Sequence, residues 1–137
     1  MIPLDAKTYL EELERIDILI GSVKRKIDRL KASATSTAAS LGGDRVQASR
    51  DQQKMADAVG SYVDIEKDEL LPLLKKREKI IGTIKRVRGR LCFTVLYEHY
   101  AEGKSFKQIV KERRYSYSHV IRAHREGLSQ IQRIIEK

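Results

Sequence analysis

Tryptophan is absent from this chain of 137 residues, and aromatic side chains make up only 6% of it. No large globular core is therefore obvious, although a hydrophobic content of 41% makes a core possible. Cysteine occurs once, at Cys92. One thiol can form neither an internal disulfide nor a thiolate zinc site, which fits a reducing cytosol. Proline occurs only at Pro3 and Pro72, so little interrupts long helices. No run of 18 apolar residues exists to cross a bilayer. The N-terminal MIPLDAKTYLEELER is acidic and amphipathic, unlike a signal peptide. Strand runs of β-branched residues bounded by turns are also missing, so the expected fold class is all-α.

The charge that is present is unevenly placed. Residues 1–74 hold 11 Lys/Arg and 13 Asp/Glu, whereas residues 75–137 hold 17 Lys/Arg and only 6 Asp/Glu. The excess positive charge, +9 for the whole chain, thus lies in the second half. Such asymmetry points to a polyanionic partner for that half. Within it, KKREKIIGTIKRVRGR (75–90) carries eight basic residues against one glutamate. It reads as the solvated face of a long helix that could also track phosphates.

Apolar residues are spaced in two long stripes. Leu13, Ile16, Ile20, Val23, Ile27 and Leu30 follow steps of 3, 4, 3, 4 and 3, a heptad seam that Tyr9 and Leu10 extend upstream. Asp5 can cap this first helix, expected over residues 5–31. ASATSTAASLGGD (32–44) has no periodic apolar face and reads as a flexible connection. A second helix is expected from residues 49–51 to Arg90, with Met55, Val59 and Tyr62 opening its stripe. The register stutters over 65–71, where Pro72 can kink or divide the helix. Leu73, Ile80, Ile84, Val87 and Leu91 then resume the stripe. The two helices are expected to pair as a long antiparallel hairpin, coiled-coil-like, over residues 1–90. Its role would be homodimerisation, higher oligomerisation or partner contact.

From Leu91 the texture changes. A short helix ending near Gly103 is followed by KSFKQIVKERR, in which Ser105 and Gln108 have capping-box spacing. Ser116 can cap a further helix from Tyr117, whose inner face would hold Val120, Ala123, His124, Gly127, Leu128, Ile131 and Ile135. Two capped helices joined by a tight turn make a helix-turn-helix, expected over 91–137, whose second helix enters a major groove N-terminus first. The expected base-contacting residues are Tyr117, Ser118, His119, Ile121 and Arg122. Arg122 has the donor pattern for guanine and Ile121 can meet a thymine methyl. Lys104, Ser105, Lys107, Arg113, Arg114 and Arg125 are expected at the phosphate backbone, where contacts position without specifying.

LYEHYAEGKSFKQIVKERRYSYSHVIRAHREGL resembles the fourth-region helix-turn-helix of bacterial sigma factors. It is similar more particularly to small phage-encoded proteins of Gram-positive bacteria, late-gene transcription activators and uncharacterised relatives, that join helical N-terminal segments to such a module. The likeness is strongest over 91–135. The hairpin, including GGDRV (42–46), is similar to the uncharacterised relatives. It implies a DNA-binding transcriptional regulator of phage or prophage genes, acting in the bacterial cytoplasm on double-stranded DNA, with RNA polymerase as a second candidate partner. One departure stands out: Arg113 and Arg114 occupy positions where sigma-type modules carry an apolar residue and then glycine.

Other chemistries fit poorly. His119 and His124 are five positions apart and do not share a helix face as metal ligands would. Ser116 and Ser118 near histidine lack the oriented acid of a nucleophilic triad, and capping accounts for Ser116. No phosphate-cradling glycine loop exists. Neither cofactor, metal nor enzymatic activity is expected. Two alternatives stay open: a small-terminase-like DNA-packaging component, and a helical adaptor that binds protein.

Overall fold

The computed structural model describes residues 5–39 and 45–137, and among them the side chains of all but 34–39, 45–51, 54, 55 and 58. Every described element is helical, with no strand among the described residues. In chain order these are α1 (Ala6–Ala39), α2 (Arg45–Ile65), α3 (Leu71–Lys85), α4 (Arg90–Leu96), α5 (Phe106–Arg113) and α6 (Tyr117–Ile135). Five-residue π-helical turns lie at Glu66–Leu70, joining α2 to α3, and at Tyr97–Ala101, following α4. No helix among the described residues is long and apolar enough to cross a membrane.

The chain divides into two compact units, one of Met1–Asp17 with Lys76–Lys137 and the other of Ile18–Lys75. The division differs from the expected boundary at residue 90, because the start of α1 belongs with the C-terminal helices. There Asp5 caps the helix as expected, accepting the Thr8 N–H at 2.7 Å. That hydrogen bond holds the Asp5 carboxyl below its ordinary range. Leu10 and Leu13 are fully buried. The Ala6 N–H donates to Gln132 Oε1 on α6 at 2.7 Å, and the Tyr9 and Thr83 hydroxyls lie 2.9 Å apart. Arg77 adds a 2.7 Å ion pair with Asp17.

The second helix begins at Arg45, ahead of the expected 49–51, and ends at Lys85 rather than Arg90. Arg86 and Val87 turn back onto the carbonyls of Thr83 and Ile84, and Gly89 adopts φ +97°, which favours glycine over residues with a Cβ. The stutter at 65–71 is the π turn Glu66–Leu70, closed by the Leu71 N–H on the Glu66 carbonyl. A π turn widens the helical repeat, so the apolar steps slip there. Pro72 follows as the second residue of α3. Of the expected connection 32–44, residues 32–39 instead continue α1, while 40–44 lie outside the described residues, as does the Met55 side chain.

In the first unit the core gathers around α4 and α6, with Val95, Leu96, Ile109, Val120 and Ile131 fully buried. Gly127 makes the close approach possible: a Cβ there would lie 2.8 Å from Leu96 Cδ1. Leu128 and Ile135, expected inside, are half-buried. Burial raises the Cys92 thiol above its ordinary range, assisted by Glu126. In the second unit the buried side chains include Ile20 and Ile27. Lys26 pairs with Glu69 at 3.3 Å and Lys31 with Glu66 at 3.9 Å, while the Lys31 ammonium sits 5.3 Å from the Tyr62 ring centre. The later α1 residue meets the earlier partner, so these segments run in opposite directions. Such exposed pairs contribute about 0–1 kcal/mol each.

Candidate functional site

The segment from Gly103 to Arg125 is built by four local devices. Gly103 takes φ +72° and ends the π turn, and the Lys104 N–H reaches the Glu98 carbonyl at 3.0 Å. Ser105 then caps α5 by accepting the Gln108 N–H at 3.1 Å. The reciprocal half of the expected capping box does not form, because the Gln108 amide donates forward to Glu112 at 3.3 Å. Arg114 closes α5 in the left-handed conformation, φ 60° and ψ 36°, with its N–H on the Val110 carbonyl. It is the one non-glycine residue with positive φ among those described. Arginine thus adopts the backbone that glycine takes without strain, which costs about 1–2 kcal/mol. Ser116 caps α6 by accepting the His119 N–H at 3.2 Å.

Beneath these turns lies a buried charge. Glu98, on the π turn, is 4% exposed. Its Oε1 accepts from Arg113 Nε at 3.0 Å and from Arg113 Nη2, and Lys104 Nζ lies 3.8 Å away. Its Oε2 has no hydrogen-bond partner. Lys104 also pairs with Glu112 at 2.8 Å and with Glu102 at 3.3 Å. The Glu112 hydrogen bond raises the Lys104 ammonium and lowers the Glu112 carboxyl, and Glu98 raises the Arg113 guanidinium. Two of the cations expected at a phosphate backbone are therefore already engaged with carboxylates. Their geometry ties α5 to the π turn instead.

A second cluster packs His99, Tyr100, Phe106 and His124. The His99 ring stacks on Phe106 with centroids 4.1 Å apart, and Phe106 meets His124 edge-on at 4.8 Å. His99 Nδ1 lies 2.7 Å from the Lys104 carbonyl, and Tyr100 Oη 2.7 Å from His124 Nε2. Burial lowers His124 to about 4, helped by His99, Lys7 and Arg125. Burial likewise raises Tyr100 to about 12, helped by Glu11 and Asp5. His124 and Tyr100 are therefore neutral at pH 7. No group of three His, Cys, Asp or Glu among the described residues could hold a metal ion.

The first turn of α6 faces outward. Tyr117, Ser118, His119, Arg122 and Arg125 are exposed, as are Ser105, Lys107 and Arg114. Ile121 is half-buried, so its apolar surface is less available than the sequence suggests. Sequence reasoning missed Tyr115, which is 43% exposed and stands edge-on to His119 with centroids 5.4 Å apart. Tyr115, His119 and Arg113 line an open groove of about 470 Å³ with Arg90, Leu91 and Thr94. The only signal for Tyr115 was an aromatic residue inside a turn between two capped helices.

The chain matches no family model, no curated protein and no solved structure.

Proposed function

We propose that this chain is a sequence-specific double-stranded-DNA-binding regulator of transcription without enzymatic activity. In this reading α5, the left-handed Arg114 turn and α6 form a helix-turn-helix of the sigma fourth-region type, and α1 to α3 form a helical hairpin. The observation that carries it is the α6 first turn: a serine-capped helix presenting Tyr117, Ser118, His119 and Arg122 to solvent, with Tyr115 alongside. A helix N-terminus of this kind fits a major groove, where a planar guanidinium can pair with guanine. Lys107, Arg114 and Arg125 are the cations placed to meet phosphate. Lys104 and Arg113, proposed for the same role, also pair with carboxylates that hold α5 in position. Phage or prophage genes in a bacterial cytoplasm are the proposed setting, with RNA polymerase as a candidate second partner. Ile18, Leu19, Val59, Val63 and Leu71, exposed on the second unit, support self-association through the N-terminal helices.

Binding to a library of duplexes tests the reading. Arg122→Ala is expected to relax preference at one base position, at about 1–3 kcal/mol of lost discrimination. Lys107→Ala is expected to weaken all sequences alike and reduce the salt slope by about one. Absence of duplex binding at ~50 mM salt would sink the proposal.

A further inference from the structure

The turn after α3 and the end of α6 make a second basic feature in the first unit. Arg86, Arg88, Gln130, Arg133, Ile134 and Lys137 line an open groove of about 310 Å³. No Asp or Glu lines it, and its four cationic side chains are all exposed. The groove is built rather than incidental. The Arg88 N–H donates to Gln130 Oε1 at 2.7 Å, and Gln130 Nε2 donates to the Arg88 carbonyl at 2.9 Å. One side-chain amide thereby satisfies both backbone polar groups of Arg88 and fixes the Arg86–Gly89 turn against α6. Four like charges held round one groove repel each other, and an anion seated there relieves that repulsion.

Its place on α6 identifies the anion. Arg122 and Arg133 are eleven positions apart, within about 20° of each other round the helix and separated by about 16 Å along it. Arg125 and Ser129 lie between them on the same side. The exposed stripe therefore runs from the reading edge to the groove. We infer that the groove of Arg86, Arg88, Arg133 and Lys137 is a DNA-phosphate clamp, gripping the sugar-phosphate backbone of the duplex that the N-terminus of α6 reads. The inference rests on the DNA-binding reading and adds a second contact point, which extends the footprint without touching bases.

Its test is the salt dependence of binding to a duplex of scrambled sequence, between about 50 and 200 mM salt. Two charge-removing pairs are compared with the unaltered protein: Arg88→Gln with Arg133→Gln, and Arg86→Gln with Lys137→Gln. Neither changes Gln130, and the Arg88 backbone bonds do not need its side chain. Each pair is expected to lower the slope of log Kobs against log salt by about two, since each lost phosphate contact removes about 0.9. Base preference in the duplex library is expected to stay unchanged. An unaltered slope in either folded pair overturns the clamp and leaves a solvated basic surface. If the first pair loses helix content, the second decides alone. Failure of the underlying reading looks different: the unaltered protein then binds no duplex at ~50 mM salt.

Discussion

In the unit of Met1–Asp17 and Lys76–Lys137, apolar side chains from α1, α3, α4, α5 and α6 reach full burial, and a glycine admits Leu96 against α6. In the unit of Ile18–Lys75, Ile20 and Ile27 are the buried apolar side chains among those described, while Ile18, Leu19, Val59, Val63 and Leu71 stay exposed. The first unit also carries 18 Lys/Arg against 11 Asp/Glu, the second 10 against 8. Helical stability comes mostly from burying one face. The first unit does this with its own elements, and its charged edge stands on a buried core. The second leaves large apolar side chains exposed among its described residues.

The largest expected effect separates the two units. Ile131→Ala should cost about 2–5 kcal/mol, because the site is fully buried and closely packed. Val63→Ala, at 48% exposure, should stay within about 0.5 kcal/mol in the monomer. Urea denaturation of both variants checks this, and equal losses would break the contrast. Next comes the buried charge. Arg113→Ala leaves the buried Glu98 carboxylate with only Lys104 at 3.8 Å, and should destabilise the first unit by less than Ile131→Ala does. Urea denaturation that shows no loss would contradict a supporting role for this pair.

Acid sharpens the comparison further. The His124 imidazole is held down to about 4 in the folded unit, below its ordinary value of 6.5. The unfolded chain then binds the proton first, so stability present above pH 6.5 falls as pH drops towards 4. The loss should be on the order of 1–2 kcal/mol, since the ring is only half withdrawn from water. Thermal melts from pH 7 to 4 should show the slope, and His124→Gln should flatten it. The smallest effect is a gain. Arg114→Gly should stabilise the turn by about 1 kcal/mol, because glycine takes φ 60° without a Cβ penalty. A melting temperature that does not rise would show that the Arg114 side chain compensates its own backbone strain.

Local signals in the chain were legible. Asp5 and Ser116 cap where their spacing indicates, and the heptad seam is the inner face of α1. The stutter before Pro72 marked a real change of helix type, although periodicity alone does not reveal a π turn. Arg114 was visible as the residue where a glycine would be expected, and its left-handed backbone accounts for that oddity. Long-range pairings were not legible. Nothing in the order of residues says that Glu98 will be buried under Arg113, fifteen positions on, or that His124 will meet Tyr100. Both depend on how α5 and α6 pack onto the π turn, which no local pattern encodes. The same packing gives Lys104 and Arg113 carboxylate partners that their sequence positions did not reveal.

Whether the first turn of α6 reads base sequence is decided by enrichment of random duplexes on the unaltered protein. One enriched motif is expected, with preference lost at a single position in Arg122→Ala. Duplexes recovered without any shared motif, and equally by both proteins, would contradict it.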